Sequence, residues 1–240
     1  MHPTIAVVMA MRAEAAPLIK HFDAQLVPSP GALPHRWYVA DDVHGVRVVI
    51  AVNGVDERHG VDLIGTEPAV MNTAAVCAEF APAMVISAGT AGGWMRADAT
   101  VGDVYVAWPH VVRHDRRIDL DGLRDYGIGR HAVWEGSPEL AHVLGARTGV
   151  VTTSNALDES ATDREWILTL DGEVKEMEAA AVAWVCEVHA VPFIAVKTIT
   201  DLVDHPASTV EQFSANLSAA SQRLAEVVPA AVAHVATVVT

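Results

Sequence analysis

Short runs of β-branched residues recur along the chain, with helical patterns of apolar residues between them. The predicted strands lie at residues 4–9, 46–52, 84–87, 104–107, 149–152 and 193–199. The predicted helices lie at 13–22, 67–80, 178–189 and from 210 to the C-terminus. Strands that alternate with helices in this way pair largely in parallel and are covered on both faces. The pattern predicts an α/β fold in which one domain, 1–240, has a central mixed, mostly parallel sheet with helices on both faces.

The composition is that of a folded protein with an acidic surface. The chain has 240 residues, 51% of them hydrophobic, and contains no internal repeat or low-complexity linker. Residues 110–134 are richer in Arg, Asp and Gly and are predicted to form a loop within the domain. The 30 acidic and 16 basic side chains give a net charge of −14, which disfavours binding to nucleic acid and to anionic membranes.

The cysteines and the chain ends bear on the cellular compartment. Cys77 and Cys186 lie in Ala- and Val-rich stretches outside any CxxC motif, so we expect buried, reduced thiols. The apolar segment 4–11 lacks the basic leader of a secretory signal. Pro229 interrupts the apolar segment 227–240, which is also shorter than the ~20 residues that a bilayer span needs. These features predict a cytoplasmic protein.

Polar residues directly after the apolar runs are the first functional candidates, because open parallel sheets bind ligands at the carboxyl ends of their strands. Glu14 follows the first run and falls one turn into the next helix, where an acid also stabilises the helix dipole. Glu178 opens a helix that is otherwise apolar, so its carboxylate must face a cavity or a partner. The two acceptor oxygens of a carboxylate suit a vicinal diol such as that of ribose.

Two more candidates follow later strands. Residues 88–93 combine three glycines with the hydroxyl of Thr90, which either lets backbone amides approach a ligand or simply forms a tight turn. Asp201 comes just past the run 193–199 and suits a helix N-cap, an Asx turn or a catalytic acid.

Other catalytic classes lack their motifs. His110 and His114 have HxxxH spacing, but without the glutamate of HExxH or a third ligand they do not favour zinc. The glycine segment matches neither a dinucleotide-binding nor a Walker motif, and no Gly-x-Ser-x-Gly elbow is present. We therefore expect neither a metal nor another cofactor.

Taken together, several segments resemble the nucleoside phosphorylase/nucleosidase superfamily, and within it the 5′-methylthioadenosine nucleosidases, especially those of plant type. The matching segments span most of the chain and lie at residues 10–15, 65–69, 87–93, 101–104, 114–117, 176–179 and 200–204.

The resemblance implies a role for each candidate. The glutamate that matches Glu14 positions and deprotonates the attacking water in that family, and the aspartate that matches Asp201 helps to protonate adenine N7. The residue matching Glu178 holds the ribose hydroxyls, Met177 lies against the sugar, and Thr90 helps to form the sugar site. Cleavage of a C–N glycosidic bond passes through an oxocarbenium-like state that carboxylates stabilise, so these roles agree with the chemistry of the residues.

The same resemblance extends to the rest of the substrate and to the assembly. Leu157 and Asp158 belong to the segment 154–158, which matches the loop that covers adenine, and Met11 is a further expected contact. Val210 is expected near the 5′ end of the substrate, where it would favour methylthioadenosine over S-adenosylhomocysteine. The implied partners are an adenine nucleoside and a second copy of the chain in a homodimer, and the implied pathway is methionine salvage.

Three alternatives stay open at this point. A purine nucleoside phosphorylase has the same fold, but its phosphate site after the first strand tends to contain Gly-Asp-Pro and an Arg, where this chain has Glu14. A carboxylate would repel phosphate, which favours water as the nucleophile. A hydrolase of a related nucleoside, such as S-adenosylhomocysteine, adenosine or futalosine, is the second alternative. A non-catalytic nucleoside-binding protein is the third, and the three carboxylates argue against it.

Overall fold

The chain folds around one mixed β-sheet, as seen in a computed structural model that describes residues 2–30 and 33–240. The strands of the chain are β1 (Thr4–Met9), β2 (Gln25–Val27), β3 (Arg36–Val43), β4 (Val46–Val52), β5 (Val55–Asp56), β6 (Val61–Asp62), β7 (Met84–Gly93), β8 (Val104–Arg113), β9 (His131–Ala132), β10 (Arg147–Thr153), β11 (Gly172–Glu176) and β12 (Phe193–Leu202). Strands β5 and β6 form a separate antiparallel pair, and the others belong to the central sheet. The helices are α1 (Arg12–His21), α2 (Thr66–Phe80), α3 (Leu123–Ile128), α4 (Ser137–Leu144), α5 (Ala161–Thr169), α6 (Ala179–Val188) and α7 (Thr209–Val239), with a short 3₁₀ turn at Met95–Ala97. Met1 and residues 31 and 32 of the expected domain lie outside the described residues.

Parallel pairing runs through the middle of the sheet. The strand order is β11-β10-β8-β12-β7-β1-β4-β3-β2, with β9 beside β8. The pairs β4–β1, β1–β7, β7–β12, β8–β10 and β10–β11 are parallel, whereas β12–β8 and the edge pairs β4–β3 and β3–β2 are antiparallel. Strand β11 also pairs with β7, so that end of the sheet closes on itself. The predicted α/β fold with a mixed sheet is confirmed.

The alternation of side chains along each strand fills two apolar layers. On β1, Ile5, Val7 and Met9 belong to the apolar layer that also contains side chains of α1, α4 and α7. Ala6 and Val8 point the other way and belong to the layer that contains side chains of α2 and α6. Since both faces are covered, the strands are apolar at nearly every position, which is why they read as continuous runs in the sequence. Across the described part of the chain, no helix combines the length and apolar character needed to cross a membrane.

Strand β7 departs most from the expected structure. The predicted strand ended at residue 87, with a ligand-binding segment or a tight turn at 88–93, but the strand continues to Gly93. Its glycines are held in the ladder because β12 pairs along one side and β11 along the other. A Cβ atom on Gly92 would lie 2.8 Å from an oxygen of Asp201, so the missing side chain makes room for a carboxylate.

Other boundaries also differ. The predicted loop at 110–134 contains the end of β8, then α3 and β9. Strand β8 continues to Arg113, beyond the predicted end at residue 107, because β10 and β9 pair with its second half. Cys77 and Cys186 are buried and free, as predicted, and burial raises the pKa of the Cys77 thiol to about 11.

Candidate active site

A cavity of about 430 Å³ lies at the carboxyl ends of the central strands, within the size range of small-molecule sites. Its walls come from the ends of β1, β7, β11 and β12, from the segment 60–64 and from the start of α7. Seven of the nine predicted site residues line it: Met11, Glu14, Thr90, Leu157, Met177, Glu178 and Asp201.

Glu14 is held rigidly at one wall of this cavity. It lies in the first turn of α1 and is only 3% exposed. Its Oε1 accepts hydrogen bonds from the backbone N–H and the hydroxyl of Thr90, both at 2.7 Å, and its Oε2 accepts one from the backbone N–H of Met11 at 3.3 Å. Burial raises the pKa of Glu14, while these donors counter the rise. A raised pKa makes the carboxylate a stronger base toward a bound water.

Glu178 occupies the N-cap position of α6, facing the cavity. Its Oε1 accepts a 2.7 Å hydrogen bond from the backbone N–H of Gly65, at the start of α2. Burial, together with repulsion from Glu176, raises the pKa of Glu178 to about 7. The remaining acceptor positions of this carboxylate are available to hydroxyl donors in the cavity.

A buried ion pair lies beneath these carboxylates. The Nζ of Lys197 is 2.9 Å from Oε2 of Glu176, and both side chains are almost completely buried. Lys197 also donates to the hydroxyl of Ser87 at 3.2 Å. Although burial disfavours its charge, the surrounding carboxylates of Glu176, Glu178 and Glu14 raise the pKa of Lys197. The ammonium therefore stays charged and partly balances three acids.

Asp201 lies within β12, at a bulge that follows Ile199. Its Oδ1 accepts a 2.7 Å hydrogen bond from the hydroxyl of Thr200. Burial raises the pKa of Asp201, so the carboxyl group keeps its proton to higher pH than an exposed aspartate. Helix α7 starts only at Thr209, so the alternative in which Asp201 caps a helix is wrong.

Two side chains of α7 hold the backbone on both sides of Asp201. The amide of Asn216 donates to the carbonyl of Thr200 at 2.8 Å. The side-chain oxygen of Gln212 accepts from the N–H of Leu202 at 3.1 Å. The bulge leaves backbone groups without partners in the ladder, and these two side chains supply them.

The segment 154–158 closes another side of the cavity. Lys175 donates from Nζ to the carbonyls of Ala156 and Leu157, at 2.7 and 2.8 Å. Asn155 points away from the cavity and binds Thr66, with its Oδ1 accepting from the backbone N–H at 2.8 Å. The segment is thus fixed between β11 and the start of α2.

Two predicted contacts do not line the cavity. Asp158 lies past the part of the segment that reaches the wall, and Val210 is 57% exposed on the first turn of α7. Phe213, one helical turn further on, lines the cavity instead of Val210. Lys175, Lys197 and Phe213 were not among the predicted site residues. Lysines inside apolar strands were the available signal for the first two, because a buried charge requires partners.

Metal ligation has no support in the described ranges 2–30 and 33–240, where no group of three His, Cys, Asp or Glu side chains could hold an ion. His114 is 1% exposed, and burial lowers its pKa to about 4.

Comparison with known proteins identifies the class. The model of the phosphorylase superfamily matches residues 4–233, so the chain belongs to that superfamily. Within it, the chain is 35% identical over 223 residues to the 5′-methylthioadenosine nucleosidase of Arabidopsis thaliana, covering 92% of this chain and 83% of the relative. It is 36% identical over 225 residues to a 5′-methylthioadenosine/S-adenosylhomocysteine nucleosidase of the same plant, covering 93% and 88%.

A solved structure agrees with these relatives. The apo structure of Arabidopsis thaliana 5′-methylthioadenosine nucleosidase superposes with a TM-score of 0.90 at 33% identity, covering 95% of this chain and 93% of that one. The resemblance inferred from the sequence motifs is confirmed.

The raised pKa of Glu178 provides a test of the predicted contact between this residue and ribose. Below about pH 7 its carboxyl group is protonated, and above that pH it is an anion, which accepts hydrogen bonds about twice as strongly. We expect the Kd of a non-hydrolysable adenine ribonucleoside to fall about fivefold as pH rises through 7, the factor that ~1 kcal/mol gives. Glu178→Gln should remove this dependence while retaining an acceptor for Gly65.

The matched control is the 2′,3′-dideoxy ligand, which lacks both hydroxyls. Calorimetric titration should show a smaller pH dependence for it on the unmodified protein. If Kd changed with pH to the same extent for the two ligands, Glu178 would not contact the sugar hydroxyls.

Proposed function

We propose that this chain hydrolyses the N-glycosidic bond of 5′-methylthioadenosine, releasing adenine and 5-methylthioribose. The observation that carries the proposal is the carboxylate of Glu14, buried at the cavity wall and held by three donors. A fixed anion at the position of the nucleophile repels phosphate and orients water. The two Arabidopsis relatives, which are nucleosidases by name, support the same substrate class.

The proposed reaction divides the work among three carboxyl groups. Glu14 takes a proton from the water that attacks C1′ of the sugar. Asp201 gives its proton to N7 of the purine, so the base departs as neutral adenine. Glu178 holds the ribose hydroxyls and, with Glu14, stabilises the positive charge that develops on the sugar ring.

Glu14 and Asp201 have different surroundings in the cavity, which supports their different roles in the proposed reaction. Glu14 accepts three hydrogen bonds, which suit an ionised base. Asp201 accepts one from Thr200 and is buried, which favours the protonated form needed for an acid. Burial raises the pKa of both carboxyl groups, but Glu14 has more hydrogen-bond donors that stabilise its anion than Asp201 has.

Release of free adenine without phosphate tests the proposal directly. Purified protein incubated with methylthioadenosine should form adenine and 5-methylthioribose at the same rate with and without added phosphate. Chromatography with mass detection distinguishes the free sugar from its 1-phosphate. A sugar 1-phosphate as the main product would show a phosphorylase instead. Parallel assays with S-adenosylhomocysteine, adenosine and futalosine would show whether a different nucleoside is the better substrate.

Asp201→Asn tests the acid. Asparagine keeps the acceptor for Thr200 but has no acidic proton to transfer to the base, so kcat should fall at least ~100-fold. Thermal melting and inhibitor binding should change little, and a nucleoside whose base leaves without protonation should be partly rescued.

Asp204→Asn is the matched control, because Asp204 lies in the same segment but binds the backbone N–H groups of Met95 and Arg96. Its kcat should stay close to that of the unmodified protein. A stable Asp201→Asn variant with normal turnover would remove Asp201 from the mechanism.

We also propose that the chain forms a homodimer, with the partner covering the rim of the cavity. Val61, Ile64 and Leu157 line the cavity, yet are 54, 47 and 40% exposed. Apolar side chains grouped at a rim mark an interaction surface.

Analytical ultracentrifugation should therefore give twice the 25.5 kDa chain mass at micromolar concentration. Val61→Asp should weaken the dimer, whereas Leu26→Asp, at an exposed position on β2, should not. A monomer for the unmodified chain would contradict the proposal.

A further inference from the structure

One buried charge at the cavity wall belongs to none of the three carboxyl groups that carry the proposed reaction. Lys175 lies on β11, is 5% exposed and lines the cavity. Its Nζ donates to the carbonyls of Ala156 and Leu157. Two neutral acceptors do not balance a buried ammonium, so its charge acts on other groups nearby.

The register of the sheet places Lys175 opposite the acid. Gly92 of β7 pairs with Lys175 on one side and with Asp201 on the other. Paired residues on neighbouring strands point to the same face, so the side chains of Lys175 and Asp201 project together with only a glycine between them. A Cβ atom on Gly92 would lie 2.8 Å from Oδ2 of Asp201, which shows that the carboxyl group occupies the space above that glycine.

The other charged groups near the pair are mostly acidic. Asp201 faces the positive charge of Lys175 and the more weakly acting negative charge of Glu159. Lys175 itself faces four acids: Glu159, Asp201, Asp158 and Asp163. It also faces the buried imidazole of His114, whose lowered pKa leaves it neutral. Lys175 is therefore the cation that acts most strongly on Asp201 among the described residues.

We propose that Lys175 is a positioning residue for the proton donor, whose ammonium stabilises the Asp201 carboxylate left behind when the proton moves to the purine. The inference rests on the proposed nucleosidase reaction. In that step the proton leaves the Asp201 carboxyl group and bonds to N7, while the electrons of the C1′–N9 bond pass to the base. Water oxygen bonds to C1′ and gives a proton to Glu14, so charge and atoms balance. The same ammonium fixes the carbonyls of Ala156 and Leu157 at the cavity wall.

The sign of the effect follows from the charges. Burial makes the Asp201 anion costly, and the nearby ammonium offsets part of that cost. Without the ammonium, Asp201 should hold its proton more tightly and release it more slowly to the base.

Three substitutions of Lys175 separate charge from packing. Lys175→Met removes the charge and keeps the length, and kcat on methylthioadenosine should fall about tenfold or more. The high-pH limb of the kcat profile, where the acid loses its proton, should move to higher pH. Lys175→Gln keeps an N–H donor for one carbonyl and should show the same displaced limb. Lys175→Arg keeps the charge and should recover most of the rate, with the limb near its original position.

A double-mutant cycle with Asp201→Asn decides between a charge effect on Asp201 and general damage. In the Asp201→Asn background, Lys175→Met should cost no more than about twofold in kcat, because the group on which the ammonium acts is gone. The proposal would be overturned if Lys175→Met reduced kcat by the same factor with Asp201 and with asparagine at position 201. It would also be overturned if the high-pH limb of the kcat profile stayed in place in both Lys175→Met and Lys175→Gln. If Lys175→Met does not fold, as judged by thermal melting, Lys175→Gln decides on the same measurements.

The two proposals fail in different ways. If Asp201→Asn turns over normally, the proposed role of Asp201 fails, and that of Lys175 with it. If Asp201→Asn is impaired but both uncharged Lys175 variants behave like the unmodified protein, only the role of Lys175 fails.

Discussion

The buried ion pair between Lys197 and Glu176 is the interaction on which the arrangement of the site depends. It joins the middle of β12 to the end of β11 beneath the cavity. Glu176 also accepts hydrogen bonds from the backbone N–H groups of Glu178 and Ala179, so the pair fixes where α6 begins. Such a pair contributes little net stability, but removing one partner leaves an uncompensated charge at a cost of about 3–5 kcal/mol. Its role is therefore to specify geometry.

The same pair lets several acids share a small volume. Lys197 lowers the pKa of Glu176 against the effect of burial, and it acts in the same sense on Glu14 and Glu178. Without a buried cation, three carboxyl groups this close would repel one another, and their pKa values would rise further. The charge of Lys197 thus favours the ionised form of each of these three carboxyl groups.

Glycines in β7 complete the arrangement by leaving space where side chains would block it. A Cβ atom on Gly89 would lie 3.4 Å from Oε1 of Glu14 and 3.7 Å from Nζ of Lys197. Gly92 leaves the corresponding space for Asp201. The strand thus forms backbone hydrogen bonds with β12. At the same time, its glycines leave space in which charged side chains from β12 and α1 lie close together.

The amino-acid sequence alone determined the α/β fold, the central strands and the three carboxylates, because strands buried on both faces are apolar throughout and a polar residue at their end stands out. Local patterns failed where long-range pairing decided the outcome. Residues 88–93 look like a turn until β11 and β12 pair with them, and Asp201 looks like a helix cap until a bulge, held by Asn216, places it inside β12. Phe213 rather than Val210 lines the cavity because of the orientation of α7 about its own axis. Only the packing of that helix against the sheet fixes this orientation. Lys175 and Asp201 lie on either side of Gly92 because β11 and β12 pair with β7 in this register. These strands are distant in sequence, so only the tertiary structure brings the three residues together.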